Sequence, residues 1–176
     1  MRTIKPAVMA MAAVTAALLL TACDGGGGGD DDAGKSSTDD RGPAACRIGE
    51  MGVDIAPSPA PAAGDTGTVS VNLANRGPAC TLDGSPAVTL TADGTPAEVP
   101  VDEAAVPQRM TLAAQGTATF TLTYVRGGTG GLVVSSAEFA LPGADTTHRF
   151  PWSYGEVAMK GGAPDATVSA FQRAGD

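Results

Sequence analysis

From Pro43 onward the chain alternates apolar and polar residues in short runs. Val69, Val71 and Leu73 alternate with Ser70, Asn72 and Ala74, and Val88 and Leu90 alternate with Thr89 and Thr91. Phe120, Leu122 and Tyr124 alternate with Thr119, Thr121 and Thr123. A period of two sends one set to a buried face and the other to water, which predicts strands. Threonine suits the outer face, because β-branched side chains pack well on a pleated surface.

Turn residues fall between these runs. Asn75-Arg76-Gly77-Pro78, Asp83-Gly84, Asp93-Gly94, Gln115-Gly116 and Pro142-Gly143 all accept tight-turn dihedrals. Asp93-Gly94 is the best hairpin candidate, since a type I′ turn needs positive φ at both central positions. Further strands are predicted at 52–56, 98–101, 109–112, 132–139, 147–150 and 167–171. The total is roughly seven to nine short strands, the mark of an antiparallel β-sandwich. No helix is predicted: Ala104-Ala105 and Ala113-Ala114 lie too close to Pro107 and Gly116 to propagate one.

The first 42 residues follow a different pattern. Arg2 and Lys5 precede an uncharged run from Ala7 to Leu20. That run is shorter than the about 20 residues a spanning helix needs, and it has the proportions of a secretory signal. It ends in Leu20-Thr21-Ala22-Cys23, which resembles the lipobox of bacterial lipoproteins. The resemblance implies cleavage before Cys23 and a diacylglyceryl group on its thiol. Two acyl chains hold a protein at a membrane where one is marginal. The alternative is a soluble secreted protein with a cysteine near an ordinary cleavage site. The expected divisions are a signal over 1–22, a tether over 23–43 and a sandwich domain over 44–176. The expected location is the outer face of the cell membrane.

The tether contains five consecutive glycines, then Asp30-Asp31-Asp32, and has no aromatic or branched aliphatic residue. Such a segment cannot bury enough apolar surface to offset its ordering entropy. About 20 Gly-rich residues reach roughly 25 Å. The glycines are no phosphate cradle, because no strand precedes them and no Gly-Lys-Ser/Thr closes them. The aspartates are not followed by an EF-hand ligand set.

Charge narrows the partners. Eleven Lys and Arg against 19 Asp and Glu give −8, and losing residues 1–22 removes two cations and no acid, leaving −10. Nothing there can neutralise nucleic-acid phosphates, so nucleic acid is not an expected partner. The expected partners are the membrane, through the lipid, and an envelope protein or cell-wall polymer.

With Cys23 given to lipid, Cys46 and Cys80 remain, and two thiols in an exported protein are expected to pair. The spacing is too short for an antibody-type bridge, and Trp152 lies far outside it. The alternative is a reactive dithiol. Arg47 adjoins Cys46, but a Cys-x-x-Cys motif is missing.

The run from Val69 to Leu90, with Cys46 before it, resembles the actinobacterial family called domain of unknown function 4232. The features that carry the likeness are a strand, the Asn75-Arg76-Gly77 turn, Cys80-Thr81-Leu82-Asp83-Gly84-Ser85-Pro86 and a second strand. Leu112 to Ala118 and Leu141-Pro142-Gly143 are similar to later turns of that family. The sequence departs from it at Ala114-Gln115, where proline is usual, and at Ser85, where an aromatic is common. The resemblance covers about 44–172. It implies an envelope lipoprotein with a small immunoglobulin-like sandwich, and it brings no catalytic residue.

Candidate chemistry is sparse. His148 is the only histidine, no Gly-x-Ser-x-Gly elbow is present, and neither an enzyme nor a cofactor is expected. Asp102-Glu103 are consecutive, so on a strand they point to opposite faces rather than across a cleft. The alternative function is extracytoplasmic copper binding by Met51, Met110, Met159 and His148, all soft enough as ligands, although methionine is equally a core filler. Trp152 and Tyr154, two residues apart, are the candidate binding surface if exposed, and core residues if not.

Overall fold

The computed structural model describes residues 42–173, and the predicted signal, Cys23 and most of the tether lie outside them. A one-turn 3₁₀ helix at Ile48–Glu50 leads into β1 (Met51–Pro57) and β2 (Thr66–Asn75). Then follow β3 (Cys80–Asp83), β4 (Ala87–Ala92), β5 (Thr95–Val99), β6 (Arg109–Leu112), β7 (Thr117–Val125), β8 (Val134–Ala140) and β9 (Thr147–Pro151). Four short pieces end the chain: β10 (Met159–Lys160), β11 (Ala163–Pro164), β12 (Ala166–Val168) and β13 (Gln172–Arg173).

The architecture is an antiparallel β-sandwich. One sheet has the order β1-β2-β7-β12, with β13 also on β7; the other has the order β5-β4-β8-β9. Two short pairs, β3-β6 and β10-β11, complete it. The period-two pattern decides which face is buried. In β2 the buried apolar side chains are Val69, Val71 and Leu73, and in β7 they are Ala118, Phe120, Leu122 and Tyr124. The two sheets meet through Phe120 on β7 and Phe139 on β8, whose ring centroids are 5.1 Å apart edge to face. Val88 and Leu90 of β4 fill the same core. On the outer face Thr68, Ser70 and Asn72 oppose Thr123, Thr121 and Thr119.

The Asp93-Gly94 hairpin forms as predicted. Asp93 has φ 49° and Gly94 φ 77°, and they join β4 to β5 with Ala92 opposite Thr95. Pro96 fits within β5 because this strand is an edge.

The C-terminal third departs from the prediction. One strand over 167–171 is expected, and two pieces are found. Val168 faces Leu122 while Gln172 faces Thr119, so four steps on one strand match three on the other. The extra residue is a β-bulge. Its cause is a contact across the sheet: Ser169 Oγ accepts the Thr121 amide at 2.9 Å in place of a ladder bond. Ala170 and Phe171 are then both buried in succession, and Phe171 sets its ring against Phe120 at 5.7 Å. Leu132, also expected in a strand, instead makes an isolated bridge to Val157.

Candidate functional site

The start of the domain is fastened by several groups at once. Cys46 and Cys80 form a disulfide, with their Cα atoms 4.9 Å apart and both residues buried. Ala45 runs parallel to Thr81 of β3. The Thr81 amide donates to Ala44 O at 2.8 Å, and the Cys46 amide donates to Thr81 O at 3.0 Å. Thr81 Oγ1 donates to Pro43 O at 3.1 Å, which explains a buried threonine. The expected pairing of the two cysteines is therefore present, and Pro43 to Cys46 runs beside β3 through a single parallel bridge.

Beside the disulfide stands a residue whose role the sequence reading missed. Asn75 is fully buried. Its Nδ2 donates to Pro78 O at 2.8 Å and to Ala113 O at 3.0 Å, with Leu112 O at 3.3 Å. Its Oδ1 accepts the Gly77 amide at 3.0 Å. Its backbone amide donates to Gly116 O and its carbonyl accepts from the Gln115 amide. One side chain thus ties the β2–β3 turn to the β6–β7 turn. The signal was visible only as a turn asparagine. Its satisfaction by a second turn, about 40 residues on in sequence, was not.

Of the two readings left open for Trp152 and Tyr154, the structure takes the core one. Trp152 is 7% exposed and Tyr154 packs against the core. The Trp152 ring stands edge-to-face to Tyr124 at 5.0 Å and to Tyr154 at 4.8 Å. Trp152 Nε1 donates to Gly155 O at 2.7 Å, and Tyr124 Oη donates to Tyr154 O at 2.8 Å. Every polar tip named here is spent inside the protein, as buried aromatics require. Trp152 is a core residue, and Tyr154 is half-buried against it. Burial raises the Tyr124 hydroxyl above its ordinary pKa of 10.0; Arg126 opposes this and Tyr154 adds to it. Burial raises Tyr154 as well.

Met51, Met110, Met159 and His148 stand on strands of four different sheets. Met51 and Met110 are buried filler, Met159 is exposed, and His148 rests against the Phe139 ring at 5.4 Å. Among the described residues no three His, Cys, Asp or Glu side chains cluster. Asp102 and Glu103 sit on an exposed turn, where Asp102 Oδ1 accepts the Ala104 amide at 2.8 Å.

An open groove of about 690 Å³ lies between residues 102–110 and 169–173. The two segments touch where Val101 bridges Val168, then separate. They approach again where Arg173 Nη2 reaches Thr111 O at 3.5 Å.

A search of curated proteins finds no significant match. The profile of a family described as a domain of unknown function, 4232, matches residues 46–172. The match begins at the first disulfide cysteine and ends within β13, so it spans the whole sandwich. The chain therefore belongs to the domain of unknown function 4232 family.

Proposed function

We propose that this chain is a cell-envelope lipoprotein, held at the outer face of the membrane by a diacylglyceryl group on Cys23. It displays a non-catalytic β-sandwich for binding or structural interaction. The observation that carries this reading is the leader itself: Arg2 and Lys5, a short uncharged run, and Leu20-Thr21-Ala22 directly before Cys23. The Cys46–Cys80 disulfide supports it, because such bonds persist in oxidising compartments outside the cytosol. Position supports it too. The chain passes from a Gly/Asp-rich segment into the sandwich at Pro43 to Cys46, where a covalent bond and three hydrogen bonds hold it to β3. A domain pulled by its N-terminus needs its fastening there.

The test is fractionation of cells expressing the full chain or its Cys23→Ser variant. The wild type is expected in the membrane fraction and the variant in the medium. Wild-type protein free in the medium with an unmodified Cys23 would overturn the reading. Cross-linking in intact cells then identifies the partner.

A further inference from the structure

The groove between residues 102–110 and 169–173 has features that point to one kind of occupant. Its first wall is a strand edge. Among the described residues β6 pairs with β3 on one side and with no strand on the other. The Thr111 carbonyl points away from β3, since the Arg173 guanidinium reaches it from the groove end. An unpaired edge offers backbone amides and carbonyls to an added strand. The second wall is the bulged segment from Ser169 to Phe171, and bulges are over-represented at sheet edges and next to active sites. The rim is apolar at Val106, which is 72% exposed.

Charge fixes the direction. Arg109 and Arg173 line the end near Thr111, and Asp102 lines the end near the Val101–Val168 bridge. Arg109 is largely exposed and reaches only Asp83, at 3.8 Å. In a chain of charge −8, two arginines stand at this end of the groove, one of them in a long, exposed ion pair with Asp83. We infer that this groove binds an extended peptide segment of a partner protein, added as a strand to β6, with an acidic side chain between Arg109 and Arg173. A wall polymer of sugars or phosphates matches the arginines but not the strand edge, so the peptide is favoured. The inference deepens the binding role given above and rests on it.

The experiment uses the full chain and three probes: a fluorescent Glu-Val-Thr-Val-Glu peptide, its Lys-Val-Thr-Val-Lys counterpart, and polyphosphate. The glutamate peptide is expected to bind at least tenfold more tightly than the lysine peptide. The Arg109→Glu/Arg173→Glu variant, with thermal unfolding unchanged, is expected to lose at least tenfold, and Arg109→Lys/Arg173→Lys to recover part of it. Amide shifts on peptide binding are expected in residues 106–111 and 169–173. Three results would overturn the inference: equal binding of both peptides, binding unaffected by the glutamate variant, or polyphosphate binding without peptide binding. Each would leave the membrane anchor, tested through Cys23, untouched.

Discussion

The ring of Tyr124 lies over Gly67, its directly opposed partner across β2 and β7. A Cβ at position 67 would stand 2.6 Å from Tyr124 Cζ, so glycine is the only residue that leaves the ring its place. The ring covers the bare backbone in return, as aromatics do for glycines in sheets. Gly67→Ala is expected to cost about 1–3 kcal/mol by overpacking. Chemical denaturation checks this. The loss should shrink when Tyr124→Leu is added, giving a coupling of about 1 kcal/mol in a double-mutant cycle.

The same cluster sets the alkaline limit. Tyr124 and Tyr154 are raised above 10.0 by burial, so the folded state keeps protons that the unfolded chain gives up. Their contribution is complete below pH 10 and is lost as pH rises through the folded-state values. Stability is expected to fall above pH 10, and less steeply in Tyr124→Phe. Denaturant midpoints between pH 8 and 11 measure it; a flat profile would contradict the assignment.

Asn75→Ala removes the Nδ2 donor from the Pro78, Leu112 and Ala113 carbonyls and the acceptor from the Gly77 amide; Ala113 O keeps the Gly116 amide, while the Pro78 carbonyl and the Gly77 amide lose their partner. The expected cost is about 3 kcal/mol, from buried polar groups left unsatisfied. Asn75→Asp is expected to be at least as harmful at pH 7, because a carboxylate oxygen then faces three carbonyls, and to improve as pH falls. Urea unfolding of both variants at pH 7 and pH 4 checks the order.

Gln115 has φ 64° in the turn closed by the Gly116 amide on Ala113 O at 2.9 Å. Sequence reading placed a turn at Gln115-Gly116. The structure puts the left-handed residue at Gln115, while Gly116 is needed because a Cβ there would stand 2.9 Å from Ala113 O. A left-handed non-glycine residue costs about 1–2 kcal/mol, partly offset by the greater unfolded-state freedom of glycine. Gln115→Gly is expected to stabilise by about 0.5–1 kcal/mol, read as a higher thermal midpoint.

The strands were legible because their cause is local. Val69, Val71 and Leu73 alternate with polar neighbours, and burying one face of β2 requires nothing more. Asp93-Gly94 announced its turn for the same reason, since its dihedrals are a property of two residues. Cys46 and Cys80 could be paired because few thiols remained. What stayed hidden depends on distant groups. The break in the final strand follows from Ser169 meeting Thr121, about 50 positions away. Trp152 and Tyr154 share a face of an extended segment whether that face meets water or Tyr124, and only the third ring decides. The groove, likewise, is made by two segments that no sequence pattern brings together.

Intact and peptide mass spectrometry of the protein taken from cell membranes tests the central claim most directly. The expected chain begins at Cys23, carries a diacylglyceryl mass on that residue, and has Cys46 and Cys80 joined. A chain in the soluble cytosolic fraction that still begins at Met1, with all three thiols reduced, would contradict it.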